Sequence, residues 1–152
     1  MFAAGYVSGF IRVFDAVANK TVLETMIYES PVRDITFSKN VKFMAAILEN
    51  SRIVIFDVLN NFNPIKVLDY DFPNSNYFSI DFSPDGRFLA NISTNANTIT
   101  VWETDNFTLK FKLDLTGNIL SKIRFAPNNQ DIVILTATSK LLFYRVGLGE
   151  IN

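Results

Sequence analysis

Phe10-Ile11-Arg12-Val13-Phe14-Asp15 is the stretch whose reading decides the fold. Variants return as Arg52-Ile53-Val54-Ile55-Phe56-Asp57, Thr98-Ile99-Thr100-Val101-Trp102-Glu103 and Lys140-Leu141-Leu142-Phe143-Tyr144-Arg145. Their final residues, Asp15, Asp57, Glu103 and Arg145, stand 42, 46 and 42 positions apart. Each copy is a short run of β-branched and aromatic residues bounded by turn formers, the composition of a strand. A second series keeps the same beat: Phe37, Phe82 and Phe125 close strand-like runs and lie 45 and 43 positions apart. Two independent series in phase argue for one supersecondary unit repeated along the chain, each copy burying its apolar faces against the next.

The strand ends at Asp15, Asp57 and Glu103, the Trp102-Glu103 pair close to a Trp-Asp dipeptide, and the turn Ser83-Pro84-Asp85-Gly86 after Phe82 resemble the WD-repeat β-propeller family over nearly the whole chain. The resemblance implies an all-β fold of propeller blades, each of four antiparallel strands named a to d from the central channel outward. About three and a half blades are expected. Blade I is partial at 1–30, blades II and III are complete at 31–73 and 74–117, and blade IV is partial at 118–152. The sequence also departs from the family. It has no histidine, so the Gly-His pair common in such repeats is missing. Ser8, Asn50, Ala96 and Thr138 stand where the family often has a tight-turn Asp. The usual polar network toward the Trp therefore cannot form, and apolar packing is expected to be the main support.

Strand by strand, blade I supplies b, c and d, with b over Phe2–Val7 and d over Thr21–Tyr28. Blades II and III supply all four strands, and blade IV supplies a, b and c. In blade III the d strand alternates Leu109, Phe111, Leu113 and Leu115 with Lys110, Lys112 and Asp114, a half-exposed pattern. In blade II, Arg52–Val58 is apolar on both faces, as expected of a strand covered from both sides. A propeller typically closes with 4–8 blades. The remaining blades of the same propeller are therefore expected outside this segment, or a partner must supply their cover.

Composition narrows the function classes. With 49% apolar and 19% charged residues the chain is an ordered domain. A net charge of −1 with scattered Lys and Arg gives no basic stripe for nucleic acid. Without Cys or His there is no disulfide, no thiol or Ser-His-Asp catalysis, and no zinc site built on those residues. No cofactor or metal is expected. No apolar run reaches ~18 residues and the N-terminal stretch lacks a basic n-region, so neither a membrane span nor a signal peptide is read, and a cytoplasmic location is expected. Sequons at Asn19, Asn91 and Asn106 are expected by chance in an Asn-rich chain, and Asn91 falls within a strand.

The carboxylates have structural readings. Asp85 belongs to a turn in which Pro84 presets φ and Gly86 accepts positive φ. Asp15, Asp57 and Glu103 recur at the ends of the c strands, where a carboxylate can accept from the following turn. Trp102 shares its repeat position with Phe14, Phe56 and Tyr144, a core position. Asp69 and Asp71 lie two apart on an outer strand and share a solvent face. On strand a only Asp34 and Asp81 are acidic, and they fall at different repeat positions.

The loops carry the remaining signal. Tyr70-Asp71-Phe72-Pro73-Asn74-Ser75-Asn76-Tyr77 interleaves aromatics with polar side chains, which is interface-like. The resemblance implies that these d–a loops and the b–c turns line one docking face, giving Tyr28, Tyr70, Phe72, Asn74, Asn76, Tyr77, Asn50 and Asn97 as candidate partner-binding residues. It implies a non-enzymatic protein–protein interaction scaffold. A narrower likeness of Gly5–Asp15, Asn63–Pro73 and Phe125–Arg145 to WD-repeat proteins of centrioles and ciliary basal bodies implies a microtubule assembly, with tubulin or a scaffold protein as partner. The alternative is a propeller-type hydrolase using channel carboxylates.

Overall fold

The computed structural model describes residues 1–69, 78–93 and 97–146. Its fourteen strands form four antiparallel sheets, each a simple meander. The first sheet holds β1 (Phe2–Gly5), β2 (Phe10–Asp15) and β3 (Lys20–Met26). The second holds β4 (Val32–Phe37), β5 (Phe43–Leu48), β6 (Arg52–Asp57) and β7 (Asn63–Asp69). The third holds β8 (Phe78–Phe82), β9 (Phe88–Ser93), β10 (Thr98–Glu103) and β11 (Thr108–Asp114). The fourth holds β12 (Leu120–Phe125), β13 (Asp131–Thr136) and β14 (Leu141–Arg145). The inner strands β4, β8 and β12 lie side by side, with β1 against β4. The strand count per sheet follows the sequence reading, with the b and d strands of blade I each ending two residues earlier than expected.

Successive side chains on a strand point to opposite faces, so a sheet sandwiched between two others must be apolar on both. The second sheet meets that demand: all six residues of β5, and Ile53 to Phe56 of β6, are buried. The packing resolves into three inter-sheet cores. Ile11 and Val13 meet Met44, Ala46, Leu48, Val54 and Phe56. Ala45, Ile47, Ile53 and Ile55 meet Ile80, Phe82, Leu89 and Trp102. Ala90, Ile92, Ile99 and Val101 meet Leu120, Ile123, Phe125, Ile132 and Tyr144. Each large apolar side chain so buried contributes about 1.5–3 kcal/mol.

The turns repeat as faithfully as the strands. Gly9, Ser51, Asn97 and Ser139 occupy the same b–c position with φ of 89°, 65°, 51° and 62°. Val41, Gly86 and Asn129 do so in the a–b turns, at 57°, 74° and 63°. Glycine is required at position 9, where a Cβ would stand 1.7 Å from the carbonyl oxygen of Tyr28.

One expectation needs correction. Strand β11 does not alternate cleanly, because its pairing with β10 slips between Val101 and Trp102. This bulge puts Leu109 out of phase with Phe111, leaving it 50% exposed while Leu115 is buried. Equivalent slips occur at Val13/Phe14 and Ile55/Phe56, so the bulge belongs to the repeat.

Both terminal sheets present an apolar face that no other sheet covers among the described residues. The first exposes Phe2 (68%), Phe10 and Met26, and the fourth exposes Leu135, Leu141 (56%) and Phe143.

Candidate interaction surface

The b–c turns of the second and fourth sheets meet the connections entering β4 and β12 at one end of the sheets. Asn50 N–H donates to Ser30 Oγ at 3.1 Å, and Glu49 N–H donates to the Pro31 carbonyl at 2.9 Å. The same tie recurs in the fourth sheet, where Ala137 N–H donates to the Ile119 carbonyl at 2.7 Å. The Arg52 guanidinium lies 5.0 Å from the centre of the half-buried Tyr28 ring, and Arg33 pairs with Glu49. A cation over an aromatic face at such an exposed site contributes about 0.5–1 kcal/mol.

Of the residues expected to bind a partner, Tyr28 and Asn50 are brought together, linked through Arg52, Ser30 and the intervening turn. Asn97 lies in the b–c turn of the third sheet, where its carbonyl accepts from Leu115 N–H at 2.8 Å. Tyr70, Phe72, Asn74, Asn76 and Tyr77 lie outside the described residues. Arg52 was missed in the sequence, although its place just after a b–c turn and two residues beyond Asn50 was the available clue.

The channel side is polar and regularly wired. Asp34 Oδ2 accepts from Ile80 N–H at 3.3 Å, and Ser79 Oγ accepts from Ile123 N–H at 3.3 Å. Asp34 and Ser79 both sit three residues before the Phe of their strand, and Ile80 and Ile123 two before, so this is one clasp used twice. Asp81 adds a second tie, accepting from Phe125 N–H at 2.8 Å. Lys122, in the clasp position of β12, reaches back to Asp34 at 3.8 Å, and Arg124 donates to Ser79 Oγ at 3.3 Å. Burial pushes the Asp81 carboxyl above its ordinary range, with Asp34 acting in the same direction, against the N–H of Phe125 and the charge of Arg124. Each acid thus engages the backbone of the neighbouring sheet.

Several other carboxylates are also occupied. Asp15 Oδ1 accepts from Val17 and Ala18 N–H, which holds its pKa below the ordinary value, chiefly through Ala18. Asp57 repeats the motif with Leu59 and Asn60. Glu103 departs from it, pairing instead with Lys110 at 2.5 Å. Asp85 accepts from Ser83 Oγ and Arg87 N–H, and Asp69 pairs with Arg52. Asp71 lies outside the described residues. A cavity of about 640 Å³ opens between the third and fourth sheets, but its cations are engaged: Lys110 with Glu103, Arg145 with Asp131, and Arg87 over the ring of Phe88.

Four meandering sheets whose innermost strands pack together are the blades of a partial β-propeller, and the comparisons agree. The chain superposes on the β-propeller domain of Myceliophteria thermophila Cps50 (Swd1) with a TM-score of 0.75 and 16% identity, over 95% of this chain and 47% of that one. No protein-family model matches the chain. Among sequence relatives, WD repeat and SOCS box-containing protein 1 of Takifugu rubripes is 28% identical over 72% of this chain and 25% of its own length. The transcriptional corepressor LEUNIG_HOMOLOG of Arabidopsis thaliana is 28% identical over 62% of this chain and 11% of its own. Actin-interacting protein 1 of Caenorhabditis elegans is 24% identical over 83% of this chain and 21% of its own. The chain spans about a quarter or less of the length of these relatives. With the repeat beat, the bulged d strands and the Trp-bearing blade, the chain is a partial β-propeller similar to WD-repeat proteins.

Proposed function

We propose that the chain is a non-enzymatic interaction scaffold that docks proteins on the face formed by its b–c turns and d–a connections. The observation that carries this is the cluster of Tyr28, Arg52 and Asn50, a half-buried aromatic and guanidinium beside an exposed amide, tied together where strands meet their turns. Rigid aromatic and Arg anchors of this kind dominate the energetics of protein interfaces. The WD-repeat relatives support the reading by name: one is a corepressor and another is actin-interacting. The hydrolase alternative gains nothing from them, and Asp34 and Asp81 are engaged in holding sheets together.

Two further parts belong to the proposal. The exposed terminal faces take additional propeller blades; the matched propeller domain is about twice the length of the stretch this chain covers. Cellular placement is the cytoplasm, where a centriolar or ciliary microtubule assembly rests on the narrower sequence likeness alone. Co-sedimentation with microtubules at low salt tests that placement, and failure to pellet discards it.

The docking face is tested by a photo-crosslinking residue placed at Asn50 or Asn97, compared with one at the exposed Asp105 in a c–d turn at the opposite end. Capture of a protein from Asn50 and Asn97 that weakens on Tyr28→Ala is the expected result. Equal capture from Asp105, or none from the docking face, overturns the reading.

A further inference from the structure

At the other end of the channel the three inner strands finish alike. Phe37, Phe82 and Phe125 are each followed two residues on by Lys39, Pro84 and Pro127. Together with Asp81 and Ser83 these residues enclose a cavity of about 270 Å³. It is slightly smaller than the ~300–1,000 Å³ of pockets for drug-sized ligands, on the scale of one or two side chains. Its aromatic and proline walls are firm: Phe82 and Phe125 are 5% and 8% exposed, and the prolines have fixed φ.

Two opposite charges are set among the aromatic rings of this cup. Asp81 stands on the channel side of Phe82, with Oδ2 accepting from the Phe125 backbone. Arg124, on the next strand, directs its guanidinium to Ser79 Oγ and the Ile123 carbonyl rather than to Asp81, and Lys122 turns to Asp34. Asp81 therefore has no direct ion-pair partner among the described residues. A carboxylate half-buried against aromatic walls, with a second carboxylate nearby, gains most from a cation that enters and displaces water. Lys39 is exposed, and no acid pairs with it among the described residues. A partner segment carrying a basic side chain beside an acidic one complements both charges.

We infer that this cup is a second docking site, taking the basic side chain of a partner peptide toward Asp81 while an adjacent carboxylate of the same peptide meets Lys39. Phe37, Phe82 and Phe125 cover the aliphatic stem, and aromatic faces favour the cationic head. The site lies on the a–b turn end, opposite the face proposed above, and stands independently of it.

The test is a titration of the whole chain, followed by amide and carboxyl NMR, with three capped dipeptides at millimolar concentration: lysyl-glutamate, norleucyl-glutamate and lysyl-glutamine. Lysyl-glutamate is expected to shift the Phe125 amide saturably and to lower the Asp81 pKa, while norleucyl-glutamate does neither. Asp81→Asn, which keeps an acceptor for Phe125 N–H, is expected to weaken lysyl-glutamate at least tenfold. Lys39→Gln is expected to abolish the preference for lysyl-glutamate over lysyl-glutamine. Equal binding of the norleucine probe, an unchanged Asp81 titration in the wild-type chain, or no saturable shift with lysyl-glutamate overturns the inference.

Discussion

The indole Nε1 of Trp102 donates a hydrogen bond to Oδ1 of Asn91 across 2.9 Å, with both residues buried. The two stand on neighbouring strands, β10 and β9, inside otherwise apolar packing. This bond stands in for the family's polar network, which the sequence lacks. It also closes the Asn91 sequon, since Asn91 has no exposed surface.

Removing Asn91 leaves a buried N–H without an acceptor, which costs about 1–3 kcal/mol. Asn91→Ala should therefore lower stability by that amount in urea unfolding. In a Trp102→Phe background the same change should cost clearly less, because no donor is orphaned there and Asn91 Nδ2 already lacks a partner among the described residues. Strict additivity of the two changes would show that the bond carries no coupling.

Phe56 is 1% exposed at the centre of the core between the first and second sheets. Phe56→Ala is expected to cost about 3–5 kcal/mol through lost burial and the cavity left behind. Phe14, its repeat counterpart on the first sheet, is only partly buried, and Phe14→Ala should cost less. Chemical denaturation of both variants checks the order.

Gly9→Ala forces a Cβ against the Tyr28 carbonyl at a positive φ. Left-handed backbone alone costs a non-glycine residue about 1–3 kcal/mol, and the contact adds to it. The first sheet should loosen selectively. Hydrogen exchange at Ile27, whose N–H donates to the Gly9 carbonyl, is expected to accelerate well before that of β9 and β10.

The pH dependence of stability should carry two opposing limbs. The Asp81 carboxyl is raised in the folded state, so its contribution is fully present below the unfolded value and is lost as pH rises through the raised one. Asp15 and Asp131 are lowered, Asp15 by turn N–H groups and Asp131 mainly by Arg145, so what they contribute is present above the unfolded value and is lost as pH falls through the depressed ones. Asp81→Asn should remove only the first limb. Melting temperatures followed from the acid range to neutrality, wild type against variant, separate the two.

The chain alone should self-associate through its bare terminal faces. Phe2→Asp combined with Phe143→Asp is expected to raise the monomer fraction in sedimentation at micromolar concentration without changing the sheet signal in circular dichroism. An unaltered distribution would mean that these faces do not drive association.

The sequence made the blades legible because a strand buried on both faces has no freedom to hide its pattern. Ile53 to Phe56 could be read directly, and so could the turn at Asp85 and Gly86. The phase of β11 was not legible, since a bulge at Trp102 is a property of pairing between strands and leaves no mark on either strand alone. On the docking face, Tyr28 and Asn50 were found as loop residues, whereas Arg52 was absorbed into a strand pattern and became visible only over the Tyr28 ring. The channel clasp was hidden for a different reason. Asp34 and Ser79 do the same work with different chemistry, so a search for repeated acids sees Asp34 and Asp81 instead.

That clasp is directional. β4 and β8 each offer this acceptor to the following inner strand, from Asp34 to Ile80 and from Ser79 to Ile123. Successive blades are therefore joined head to tail, like tiles with a tongue on one edge and a groove on the other. On β12 the equivalent place is held by Lys122, which turns back to Asp34, so among the described residues the tongue-and-groove order runs from the second sheet through the third to the fourth, and a charge pair joins its two ends.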